Sequence, residues 1–209
     1  MRRMTRLSVA FVGFACVAGV LASSRAEAQG GFGSRATAGI FGGVAIPSGE
    51  LSDEAGRGLH AGALAKIKVF GPLDLRVDGT YTKLGKKDLV GTTRTVITDG
   101  VVTFGTVNAL INLGADSAEY PGDNTVSPYI VAGAGVYRLD FRATCGGDCA
   151  TFFNPPVDSF PGLNFGGGAT VPVAGLRTFV EGRYHRISRS LLEGGARTFV
   201  LVSAGIKFR

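Results

Sequence analysis

Along residues 177–186, RTFVEGRYHR, Glu181, Arg183 and His185 fall on one parity while Val180, Gly182 and Tyr184 fall on the other. A period of two with unlike faces predicts a β-strand. The same alternation recurs in seven further segments, giving strands over about 37–47, 59–70, 73–83, 101–113, 128–141, 163–173, 177–186 and 198–208. The contrast is sharpest in the second and third. Leu59, Ala61, Ala63, Ala65, Ile67 and Val69 oppose His60, Lys66 and Lys68, and Leu73, Leu75, Val77 and Tyr81 oppose Asp74, Arg76, Asp78, Thr80 and Thr82. In the fifth, Tyr129, Val131, Tyr137, Leu139 and Phe141 are set against Arg138 and Asp140, and in the last, Val200, Val202, Ala204, Ile206 and Phe208 against Ser203 and Lys207. The sixth is the least regular, since Gly166-Gly167-Gly168 and Pro172 interrupt it.

Eight strands, an even number, close an antiparallel up-and-down barrel, and no long segment after residue 28 carries a 3.6-residue apolar stripe. A barrel in a bilayer turns its apolar face to lipid and keeps charge within, the reverse of a soluble sheet. Connections of about 48–58, 84–100, 142–162 and 188–197 predict four long outer loops, and Gly71-Pro72 and Ala174-Gly175-Leu176 predict short inner turns; residues 114–127 are longer than an inner turn needs. Tyr81, Tyr137, Phe141, Phe165 and Tyr184 would form an upper aromatic belt, with Phe70, Tyr129 and Phe208 in a lower one. Phe41, Phe104, Phe179 and Phe199 point inward in this register, as a filled small barrel or a local bulge allows.

The N-terminus sets the compartment. Arg2, Arg3 and Arg6 precede the apolar run Leu7 to Ala22, and Ala26-Glu27-Ala28 supplies a cleavage site, so residues 1–28 read as an export signal and 29–209 as one mature domain. Cys16 leaves with the signal. Removing it takes 22 basic residues to 18 and 16 acidic to 15, so the net charge falls from +6 to +3. That is too mild to imply nucleic acid. In an oxidising compartment Cys145 and Cys149, in CGGDC, predict a loop disulfide in preference to a metal or redox pair.

GIFGGVAIPSGEL, SPYIVAGAGVY, FVEGRYHR and the closing LVSAGIKFR together resemble the bacterial outer-membrane β-barrel domain family, the small eight-stranded OmpA/OmpX-like barrels, over essentially the whole mature chain. The resemblance implies a transmembrane β-barrel in the cell outer membrane, a monomer whose partners are the outer-membrane lipids and the barrel-insertion machinery. It also implies that Gly205 and Phe208 belong to a C-terminal assembly signal, although the chain ends on Arg209 and not on the aromatic.

Candidate chemistry is sparse. GFGSRA, residues 31–36, formally fits a dinucleotide-binding glycine pattern, but no strand precedes it and no helix pattern follows. His60 and His185 lack a partner set at metal-ligand spacing and read as structural lumen residues; no cofactor is expected. A lipid-modifying enzyme would use His185 with Ser188 or Ser190 and Glu193, yet His185 and Ser188 fall on opposite faces of one strand, and Glu181, which shares the His185 face, looks away from lipid. A secreted lipocalin-like barrel would instead point the charges out and the aliphatic faces in. The leading expectation is a non-enzymatic outer-membrane barrel with a structural or surface-interaction role and an unknown extracellular ligand at its outer loops. Its lumen should be closed by Lys66, Lys68, Arg76, Arg138 and Arg183 against Asp74, Asp78, Asp140 and Glu181, five positive charges against four negative, with His185 beside them.

Overall fold

A computed structural model describes residues 36–90, 95–114, 126–146, 158–188 and 196–208. They form one closed antiparallel barrel in which each strand pairs with its sequence neighbour and β1 pairs with β8. The strands are β1 (Ala36–Ser48), β2 (Gly56–Phe70), β3 (Leu73–Val90), β4 (Thr95–Asn112), β5 (Ser127–Gly146), β6 (Asp158–Val173), β7 (Leu176–Ser188) and β8 (Ala196–Phe208). All eight expected strands are present. A helix of one turn, α1 (Glu50–Glu54), lies between β1 and β2. It is too short for apolar periodicity to announce it.

Two turns define one end of the barrel. Gly71, at φ 51°, turns β2 into β3, and Ala174-Gly175, at φ 50° and 78°, join β6 to β7 as a two-residue hairpin of the kind whose twist suits the flanking strands. Residues 115–125, most of the long inner connection, lie outside the described residues, as do 1–35, which hold the expected export signal and nearly all of GFGSRA. At the opposite, loop end, β3 runs on to Val90 and β4 begins at Thr95, so most of the expected 84–100 loop is a protruding hairpin. β5 and β6 likewise extend beyond 141 and before 163. Register shifts between Gly56 and Leu59, between Lys68 and Phe70 and between Leu84 and Lys87 mark points where the sheet's alternation is interrupted.

Register fixes the tilt. A hydrogen-bonded row that starts at Leu73 passes through Ile111, Ile130, Gly167, Gly182, Val202, Val44 and Leu59 and returns to β3 at Lys83, residue 73 to residue 83, a shear of ten. Eight strands with that shear tilt by about 43° and climb about 2.4 Å along the axis per residue.

The two faces are inverted relative to a soluble barrel. Ile40, Val44, Leu59, Ile67, Val77, Val107, Ile111, Val136, Leu163, Val180 and Val202 are exposed on the outside, while Asp74, Arg76, Asp78, Glu181 and Arg183 are buried inside. The charges-out, aliphatics-in arrangement of a lipocalin-like barrel is thus reversed in the described strands. Phe41, Phe104, Phe179 and Phe199 point inward as expected, each at most 7 % exposed. Tyr81, Phe165, Phe70 and Phe208 are outside, but Tyr129 and Tyr137 are buried and Phe141 packs on the interior, so those three leave the expected belts.

Strand β5 is the correction that matters. Tyr129, Val131, Tyr137 and Leu139 face the lumen; Arg138 is exposed on the outer face and Asp140 shares its parity, so neither belongs to the lumen network. Ile130, Ala132, Ala134 and Val136 make the outer face equally apolar, which left Arg138 and Asp140 to decide the parity in the sequence. They sit near the loop end, where an outward charge meets water or headgroups. The tyrosine hydroxyls find hydrogen-bond partners only inside.

Candidate functional site

The lumen is filled in layers. Nearest the turn end, Lys66 Nζ meets Asp74 Oδ2 at 2.5 Å, and Asn112 donates to the same oxygen at 3.0 Å. Lys207 donates to Thr170 Oγ1 at 2.8 Å, with its ammonium 5.2 Å from the Tyr129 ring centre and 5.1 Å from that of Phe179. Lys68, on the same strand face as Lys66, is half-buried beside them. Although the alternation of β8 already placed Lys207 inside, it belongs in the charge count that omitted it.

Above this layer is the densest cluster. Arg76 Nη1 and Nη2 donate to Glu181 Oε2 and Oε1 at 2.7 and 3.0 Å, a bidentate pair, and its Nε lies 3.0 Å from Asp78 Oδ1. Arg183 Nη1 donates to Asp78 Oδ2 at 2.7 Å, and its Nε lies 2.7 Å from Glu181 Oε1. Tyr129 and Asn108 complete the carboxylates, donating to Glu181 Oε2 and Asp78 Oδ2, both at 2.9 Å. Two cations and two anions from β3 and β7, strands that are not neighbours, thus meet across the lumen, joined by groups from β4 and β5. All four charged side chains are at most 3 % exposed.

The lumen then changes character. His60 Nε2 pairs with Ser203 Oγ at 2.9 Å, and His185 Nδ1 with the Tyr137 hydroxyl at 2.9 Å. The His185 ring stacks on Phe199, centres 4.8 Å apart and 4° from parallel, and Phe104 stacks on Tyr137 at 4.9 Å. Ala45, Leu84, Val102, Leu139, Ile187 and Leu201 surround these rings, and Leu51 of α1 and Ala55 just after it join the same cluster, which occupies the loop-end mouth. Gly205 has a packing role lower in the lumen, beside the separate cluster of Phe41, Leu64 and Phe179. A Cβ on it would lie 2.4 Å from the Ile40 carbonyl and 2.5 Å from Phe179, so only glycine lets Phe41 and Phe179 meet edge-on at 6.3 Å.

Of the expected lumen residues, the structure gathers Lys66, Lys68, Asp74, Arg76, Asp78, Glu181, Arg183 and His185 inside, and it places Arg138 and Asp140 outside. Tyr129 and Asn108 were missing from the expected network: Asn108 stood on the polar parity of β4, and Tyr129 was assigned to lipid with the rest of its strand. Cys149 lies outside the described residues, and Cys145, opposite Val96 in β5, has its side chain outside them. Ser190, Glu193 and Arg209 are likewise outside. Glu181 is engaged by both arginines and by Tyr129, and His185 by Tyr137, so the described residues assemble no hydrolase triad around His185. Nor do they hold a group of three His, Cys, Asp or Glu side chains fit for a metal ion.

This architecture has counterparts among solved structures. Neisserial surface protein A matches with a TM-score of 0.53 at 17 % identity, over 85 % of this chain and 98 % of that one. The fold is that of the small eight-stranded outer-membrane barrels. The N-terminal β-barrel domain of Pseudomonas aeruginosa OprF also matches, at 13 % identity over 82 % of this chain and 97 % of that one, with a TM-score of 0.47. So does Ail, the attachment invasion locus protein of Yersinia pestis, at 14 % identity over 83 % and 99 %, with a TM-score of 0.45. No protein-family model matches the chain, and no curated protein does. Sharing this fold carries no activity with it.

Proposed function

We propose that the chain is an outer-membrane β-barrel protein with a structural or surface-interaction role, not a catalytic one, and a lumen that does not conduct ions. The observation that carries this reading is the inversion of its two faces over a membrane-sized band. Exposed apolar side chains run from Phe70, Val173 and Leu176 near the turn end to Leu59, Tyr81 and Val136. With the rise set by the shear, that is about 25 Å along the axis, the height of the apolar band of such barrels. Inside, charge pairs that would be weak in water are held where little solvent reaches them, and the aromatic cluster with α1 covers the loop-end mouth. A structural or surface role follows because the buried groups are spent on one another, which leaves the loop end as the surface that meets other molecules.

Planar-bilayer recordings test the lumen. The wild-type protein should insert without steady conductance, because an eight-stranded interior is only about wide enough for side chains to fill it. Large, stable, ion-selective channels would contradict the closed lumen. The C-terminal strand supplies a second test. Phe208 is exposed beside Ala38 at the turn end, where it would serve both as an interfacial aromatic and as part of an assembly signal. Phe208→Asp should leave export intact and lower the outer-membrane level severalfold, with a periplasmic pool open to proteolysis; quantitative immunoblots of cell fractions read this, and normal outer-membrane levels would refute it.

A further inference from the structure

The outward turn of Arg138 exposes a feature that the lumen does not explain. Lys83 on β3, Arg138 on β5 and Arg186 on β7 are exposed on the outer parity of their strands, and Arg57 is exposed at the β2 bulge between Gly56 and Leu59. Their sequence positions look unrelated, but the rows relate them. Lys83 stands opposite Leu59 and Val101, Arg138 opposite Thr103 and Ser159, and Arg186 opposite Leu163 and Thr198. Once the rise of the rows around the barrel is included, the four lie within about 5 Å of one another along the axis. This level is the upper rim of the apolar band, just above Tyr81, Tyr184 and Val136.

Among the described residues no ion pair joins any of the four to a carboxylate, and Asp140 faces out one position above Arg138. The four exposed side chains at this level are therefore all cationic, with Asp140 one step above them, and they sit where hydrocarbon gives way to headgroups. Long cationic side chains at such a rim lay their stems on the apolar surface and lift their charge to the interface. On the membrane reading given above, we infer that these four side chains form a partial ring, from β2 round to β7, that binds the phosphate groups of phosphorylated lipids in the leaflet at the loop end. Guanidinium groups suit this ligand because they chelate phosphate oxygens in pairs, and three of the four residues are arginine.

The test uses the full mature chain folded into phosphatidylcholine vesicles containing spin-labelled phosphatidic acid or spin-labelled phosphatidylcholine. Wild type should associate with phosphatidic acid at least about fivefold more strongly, from roughly one surface cation's worth of attraction. Arg57→Gln, Lys83→Gln, Arg138→Gln and Arg186→Gln combined should bring the ratio near one, and roughly 0.5 M salt should do much the same to wild type. Millimolar inorganic phosphate should leave the wild-type ratio unchanged, whereas loss of the ratio would show sites for free phosphate and overturn the lipid assignment. Heat-shifted gel mobility reports insertion separately. A chain that fails to insert contradicts the membrane reading and the ring with it, while insertion without selectivity, or with selectivity that survives the combined substitution, overturns the ring alone.

Discussion

Glu181→Ala should lower the unfolding free energy by about 3–5 kcal/mol, the cost of leaving buried charge without its partner. Glu181 accepts from Arg76 through both oxygens and from Tyr129, and it lies 2.7 Å from Arg183 Nε. Without it, two guanidinium groups that are at most 2 % exposed share only Asp78. Glu181→Gln should lose less, since the amide oxygen still accepts one of these bonds. Asp53→Ala, at an exposed site in α1, should stay within about 0.5 kcal/mol of wild type. Urea unfolding in lipid vesicles, followed by heat-shifted mobility, measures all three. Equal and negligible effects of the Glu181 and Asp53 substitutions would place Glu181 in water and contradict the packed lumen.

The second large effect belongs to the loop-end cluster. Phe104 is 3 % exposed, stacks on Tyr137 at 4.9 Å and contacts the His185 and Phe199 rings at 5.1 and 6.0 Å. Truncating it removes a shared partner of three rings, and a closed sheet has little freedom to collapse into the gap. Phe104→Ala should therefore cost about 3–5 kcal/mol. Because the charge layers beneath are untouched, the variant should still show no steady conductance. A large conductance after this single change would mean that the aromatic cluster alone closes the lumen, and that the salt-bridged layers do not.

Much of this interior was legible in the sequence where one parity of a strand carries charge and the other carries long aliphatic side chains. Lys66, Asp74, Arg76 and Asp78 mark the inner face of β2 and β3 without ambiguity, and the hairpin that joins them is announced by Gly71-Pro72. In β5 the same rule misled, because Arg138 and Asp140 lie at the rim, where outward charge is tolerated, while Tyr129 and Tyr137 are apolar in body and polar at the tip. A tyrosine facing hydrocarbon and a tyrosine donating to a buried carboxylate look alike in one dimension; only the register that brings Tyr129 to Glu181 separates them. Gly205 was read through its resemblance to an assembly signal, and its packing between Phe41 and Phe179 depends on contacts 26 or more residues away in the chain. The helix α1 was missed for want of length, yet its Leu51 is fully buried. The shared level of the four exposed cations could not be read at all before the shear was known.

The inverted barrel is tested most directly by fractionating cells that express the chain and running the outer-membrane fraction unheated and boiled. The protein should be found in that fraction and migrate faster unheated than boiled, as a closed barrel that keeps its hydrogen-bonded circuit in detergent would. Recovery in the soluble periplasmic fraction, with identical mobility before and after boiling, would contradict it.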